Sequence, residues 1–170
     1  MSDFVLPVEL VDLARRVIET NRAAGRKVAV AESCTGGLVA AALTEISGSS
    51  DVFEVGFVTY SNEAKMSVLG VASDVIETFG SVSIACAWAM AQGTIEHSGA
   101  DVAVAITGIA GPGGGSENKP VGTVVFACAE RGSDKGDKVA DCRQFGDIGR
   151  AGVRTQAALC ALELLLPEGA

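Results

Sequence analysis

The feature that most constrains this chain is a pair of short, unbroken apolar runs, KVAVAE at 27–32 and DVAVAI at 101–106. Each leads straight into a glycine-bearing polar turn. Runs of this length without polar alternation suit strands covered on both faces, which is the habit of α/β sheets. Segments with helical spacing surround them. Residues 7–25 start at Pro7, place Leu10, Leu13, Ala14, Val17 and Ile18 on one face, and stop at Gly25. LVAAALTEI, from 38, predicts a helix ended by Ser47-Gly48. Further helices are expected at 62–69, 73–79, 83–98 and about 147–166, the last closed by Pro167. Residues 53–60 predict another strand, and 121–129 with 138–145 predict a pair across the charged turn RGSDKGD. Strands alternating with helices, and ending in a hairpin, imply an α/β fold: a three-layer α/β/α sandwich with a mixed, mostly parallel sheet. In such sheets the functional crevice lies beyond the carboxyl ends of strands. That directs attention to the loops after Glu32, Tyr60 and Ile106.

Composition narrows the function classes. The chain has 170 residues without repeat, low-complexity tract or linker, so a single domain over 1–170 is expected. Hydrophobic residues are 48% and charged residues 20%, enough for a sizeable core and too apolar for disorder. Thirteen basic against 21 acidic residues give a net charge of −8, which disfavours direct nucleic-acid binding but leaves room for a local phosphate grip. Five cysteines with no CxxC pair read as reduced thiols in a cytoplasmic protein. The start, MSDFVLPVEL, has no basic segment before an apolar one and predicts no signal peptide. Residues 78–95 are interrupted by Gly80, Ser81, Ser83, Gln92 and Gly93, so a buried Ala-rich helix is expected there and no membrane span.

Four segments can carry chemistry. In Glu32-Ser33-Cys34-Thr35-Gly36-Gly37 a strand turns sharply into a helix. The turn either exposes a nucleophile beside free backbone N–H groups or merely caps the helix through Ser33 or Thr35. In GFVTYSNEAK at 56–65, Lys65 lies one helical turn beyond Ser61. Burial near a helix N-terminus would favour its neutral amine, which can activate a serine without histidine; solvation would leave an ordinary surface lysine. The glycine-rich 107–115 fits no nucleotide-binding fingerprint, since Lys119 precedes Pro120, but its backbone can approach a ligand closely. Arg150 and Arg154 share one helix face, either gripping a phosphate or lying at the surface. His97 is the only histidine and no metal-ligand spacing exists, so neither a metal nor a cofactor is expected.

Together these segments resemble the C-terminal domain of the CinA (competence/damage-inducible) family. The matches are AESCTGG at 31–37, GSS at 48–50, GFVTYSNEAK at 56–65, GSVS at 80–83, TGIAGPGGG at 107–115, KPVGTV at 119–124, and the pair Arg150 and Arg154. Alanine is more usual at position 81. The resemblance implies hydrolysis of the carboxamide of nicotinamide mononucleotide to nicotinic acid mononucleotide and ammonia. It also implies Ser33 as nucleophile, Lys65 as its base, and Tyr60 as a hydrogen-bonding partner. Substrate contacts are expected from Thr35, Gly36, Gly37, Ser49, Ser50, Thr107, Gly108, Gly111, Arg150 and Arg154, with N–H groups of the 34–37 turn facing the oxyanion. The implied partner is the small-molecule substrate, with no nucleic acid and no membrane. A homo-oligomer is implied too, with the Ala/Cys-rich last helix as candidate interface. Two rivals stand beside this: the same amidase with Cys34 as nucleophile and Glu32 assisting, and a non-catalytic interaction module.

Overall fold

The computed structural model describes residues 4–133 and 139–170. Five strands form one sheet: β1 (Val28–Glu32), β2 (Phe53–Val58), β3 (Val102–Gly108), β4 (Thr123–Glu130) and β5 (Val139–Gln144), in the order β2-β1-β3-β4-β5. β1 pairs in parallel with β2 and β3, whereas β4 runs antiparallel to both β3 and β5. Four strands therefore point one way and only β4 is reversed, giving the mixed sheet expected. β3 continues through Thr107 and Gly108, two residues the sequence suggested were loop. The turn after β4 falls partly at 134–138, outside the described residues, as does the expected strand start at Lys138.

Helices cover both faces. α1 (Val8–Ala23), α2 (Leu38–Thr44) and α6 (Arg150–Leu164) pack on one side; α3 (Asn62–Leu69), α4 (Ser73–Phe79) and α5 (Ile84–Glu96) occupy the other. Strand alternation sorts the core accordingly. Val28, Val30, Val102 and Val104 join the α1/α2/α6 cluster, while Ala29, Ala31, Ala103 and Ala105 join that of α5. β1 is buried throughout and β3 up to its last residue, the half-buried Gly108, while β2, at the edge, alternates between half-buried and exposed. Residues 78–95 are no span: α4 ends at Phe79, α5 begins at Ile84, and among the described residues no helix is long and apolar enough to cross a membrane.

The last helix corrects one expectation. Ala157, Ala158, Cys160 and Ala161 are buried in the chain's own core against α1 and α2, so that face is not a free interface. Asn21 on α1 fastens the same layer, its Nδ2 donating to the Leu165 carbonyl at 2.9 Å.

Connectivity positions the site. The chain leaves β1 through α2 on one face to reach β2, then crosses by α3, α4 and α5 on the other face to reach β3 on β1's far side. This reversal opens a crevice at the carboxyl ends of β1 and β3.

Candidate active site

A pocket of about 240 Å³ occupies that crevice. Ser33 and Cys34 reach it from the end of β1, Tyr60, Asn62 and Lys65 from the β2–α3 junction, and Thr107 and Gly108 from the end of β3. Ile109–Gly111, Gly113 and Gly114 add the glycine loop, Ser81 and Val82 the approach to α5, and Arg150 the first turn of α6. The three loops singled out from the sequence thus meet.

The decisive contact is between Ser33 and Lys65. Lys65 is only 1% exposed, and its Nζ lies 3.0 Å from Ser33 Oγ, 2.9 Å from the Thr59 carbonyl and 3.2 Å from the Tyr60 carbonyl. No ion pair involves it among the described residues. Burial pushes its pKa below the ordinary 10.5, and the buried thiols Cys86 and Cys34 offset this only partly. A neutral amine fits these partners: its two N–H groups donate to the two carbonyls and its lone pair accepts the Ser33 hydroxyl. Packing makes this possible. Ser61 caps α3 by accepting the Ala64 N–H at 3.0 Å, and Gly93 on α5 lets the Leu69 backbone approach so closely that any Cβ there would collide with it. α3 is thereby pressed onto α5, carrying Lys65 beneath the strand ends.

Adjacent residues on β1 part ways. Ser33 follows Ala29 and Ala31 onto the α5 face, while Glu32 turns to the α2 face. Cys34 packs in the α1/α2/α6 core, and burial pushes its thiol up to about 11, so little thiolate exists near neutrality. The carboxylate suggested as the thiol's assistant is engaged elsewhere: Glu32 accepts the N–H groups of Gly37, Val39 and Ala40.

Other expected site residues divide. Thr107, Gly108, Gly111 and Arg150 line the pocket. Arg150 donates from Nη1 to the Gly111 carbonyl at 2.8 Å and from Nη2 to the Tyr60 phenol at 2.9 Å, spanning the mouth. Tyr60 meets the lysine through its carbonyl rather than its side chain, which is 59% exposed and faces Arg150. Thr107 Oγ1 donates to the Ser81 carbonyl at 2.8 Å, tying β3 to the approach to α5. Thr35, Gly36, Gly37 and Arg154 are not among the lining residues. Arg154 donates to the Thr35 carbonyl at 2.9 Å and braces the turn from behind. The Gly36 and Gly37 N–H groups are taken by the Ser33 carbonyl and the Glu32 carboxylate, so neither faces an oxyanion. Both glycines have positive φ, 61° and 96°, which turns the strand into the helix. Ser49 and Ser50 belong to a single 3-10 turn (Ser49–Asp51) before β2, at the opposite end of the strands, and do not line the pocket. Asn62, Ser81 and Val82 were not singled out for the site; all three lie inside the quoted runs GFVTYSNEAK and GSVS, which was the only signal for them.

The fold and pocket define a three-layer α/β domain whose strand-end crevice holds a buried serine–lysine pair. Within that class its family is clear: the model of the CinA C-terminal domain matches residues 10–168, and the chain belongs to that family. Nicotinamide-nucleotide amidohydrolase PncC of Escherichia coli (strain K12) is 48% identical over 158 residues, 92% of this chain and 93% of that protein. A putative competence-damage inducible protein of Symbiobacterium thermophilum is 50% identical over 147 residues, 83% of this chain but only 34% of its own length. The chain therefore spans about a third of that relative and nearly all of the former. The crystal structure of competence/damage inducible protein CihA from Agrobacterium tumefaciens superposes with a TM-score of 0.90 at 49% identity, covering 97% of both chains.

Proposed function

We propose that this protein hydrolyses the carboxamide of nicotinamide mononucleotide, giving nicotinic acid mononucleotide and ammonia in pyridine-nucleotide salvage in the cytoplasm. The observation that carries the reading is the 3.0 Å contact between Ser33 Oγ and the Nζ of a buried lysine that has no carboxylate partner among the described residues. The name of the E. coli relative, matched along almost its whole length, supports the substrate class.

Ser33 Oγ attacks the carboxamide carbon while its proton passes to Lys65 Nζ. Collapse of the tetrahedral intermediate breaks the C–N bond, and the Lys65 ammonium returns that proton to the departing nitrogen, releasing ammonia. Water then attacks the acyl-serine, gives a proton to Lys65, and the acid leaves as Ser33 regains its own. The amine must be neutral at the start of each half-reaction, and the dry surroundings of Nζ favour that form.

Arg150 is the phosphate contact in this reading. Its present partners, a phenol and a carbonyl, are uncharged, so a phosphate offers it a stronger charge-assisted bond. Thr107 and the 109–114 loop wall the pocket around the pyridine and ribose.

Ammonia release from nicotinamide mononucleotide by wild type, Ser33→Ala and Lys65→Ala, run in parallel, tests the proposal. Turnover by the wild type alone is expected. No release by pure wild-type protein over a range of pH would overturn it in favour of an interaction module.

A further inference from the structure

Backbone N–H groups 33–41, from the end of β1 into α2, can be followed one by one. Ser33 donates to the Ile106 carbonyl at 2.9 Å, Gly36 to Ser33 at 3.0 Å, Leu38 to Thr35 at 3.2 Å and Ala41 to Gly37 at 2.9 Å. Gly37 and Val39 donate to Glu32 Oε2 at 3.0 and 3.2 Å, and Ala40 to Oε1 at 2.8 Å. Two remain. The Cys34 N–H meets only its own thiol, and the Thr35 N–H has no acceptor among the described residues; Cys34 lines the pocket, whereas Thr35 is fully buried behind its wall. Unpaired N–H groups are rare in a protein interior, and that of Cys34 belongs to the residue next to the hydroxyl that Lys65 is set to deprotonate. An acyl oxygen gaining charge on attack by Ser33 would supply the missing acceptor.

We propose that Glu32 is the positioning residue of this site. By accepting the three N–H groups at the head of α2, its carboxylate fixes the 33–36 turn so that the Cys34 N–H is left facing the pocket for the oxyanion. The inference rests on Ser33 being the nucleophile. Glu32 is 0% exposed and has no lysine or arginine partner, so the three N–H dipoles are what offset its charge. A side chain without two acceptor oxygens would leave some of those N–H groups unpaired, and the turn would rotate to satisfy them. Arg154, holding the Thr35 carbonyl from α6, stiffens the same turn from behind.

Pyridine-3-boronic acid is the probe. Its boron accepts a bond from Ser33 Oγ, the serine proton passes to Lys65, and the product is a tetrahedral anion resembling the intermediate. On titration into wild-type protein, the amide proton of Cys34 should move downfield, and those of Gly37, Val39 and Ala40 much less. Glu32→Gln should weaken boronate binding and lower kcat by a common factor, about tenfold or more, with KM for nicotinamide mononucleotide within about threefold of wild type. A fault of packing alone would not tie kcat to boronate affinity. Boronate bound through Ser33 with the Cys34 amide proton unmoved would overturn the inference, as would a folded Glu32→Gln variant that binds boronate like wild type. Should that variant fail to fold, the wild-type titration decides alone. Boronate bound equally by wild type and Ser33→Ala would overturn the serine-amidase reading itself, and this inference with it.

Discussion

Two buried ionisable side chains lie on opposite faces of the sheet at its carboxyl edge, and they are treated in opposite ways. Glu32 faces α2 and is met by three N–H groups, partners that suit a negative charge. Lys65 faces the pocket and is met by two carbonyls and a hydroxyl, with no carboxylate. Carbonyl dipoles favour a cation only modestly, and burial outweighs them. The carboxylate is held as structure, whereas the amine is held so that it can change its charge. The difference teaches that burying a charge does not itself mark a functional group; what matters is whether the surroundings compensate it.

The largest effect should come from the uncompensated side. Lys65→Met should lower kcat/KM by about a thousandfold or more while leaving the melting temperature unchanged or raised, because it removes a buried amine without a counter-charge. Steady-state ammonia release and thermal denaturation check both halves, and a clear fall in melting temperature would break the contrast. Glu32→Ala should do the reverse in stability, costing about 3 kcal/mol through N–H groups left unpaired, as read by chemical denaturation.

The pH profile sharpens the same contrast. In the proposed reaction neutral Lys65 is the active form, so kcat/KM should rise as pH passes upward through its lowered pKa and level off below the ordinary 10.5. In that window the unfolded chain holds a proton the folded one has released, so this group's contribution to stability also rises with pH. A rate rising only around 10.5 would mean that the amine is charged in the pocket at neutrality.

Smaller effects map the periphery. Arg150→Ala should raise KM for nicotinamide mononucleotide by about tenfold to a hundredfold with kcat largely kept, and should spare the corresponding riboside, which has no phosphate. Cys34→Ala should retain most activity, since its thiol packs in the α1/α2/α6 core and the hydroxyl of Ser33 is the group 3.0 Å from the lysine. Ser49→Ala and Ser50→Ala should change kcat/KM by less than about twofold, because their turn lies at the other end of the strands.

Much of the fold was legible in residue order. Unalternated VAVAE and VAVAI could only be strands covered twice, and Gly36-Gly37, needing positive φ, could only be a sharp exit from β1. The strand-end rule then named three loops that do line the pocket. What residue order left open was contact. It could not say which of Ser33 and Cys34 meets Lys65, because that contact follows from which face β1 presents at its last residues, and the face is set by pairing with β2 and β3. Nor could it separate Arg150 from Arg154. Both lie on one helix face, yet one spans the pocket mouth and the other holds the Thr35 carbonyl, according to how α6 docks against the turn. The Gly36 and Gly37 N–H groups, by contrast, are taken within the turn itself, by the Ser33 carbonyl and the Glu32 carboxylate. By itself, then, the sequence determined local geometry and the list of reactive groups, because these depend on neighbours along the chain. The tertiary structure alone decided which amine is dry and which N–H groups are open, because desolvation and hydrogen-bond partnership are settled only when distant segments close around them.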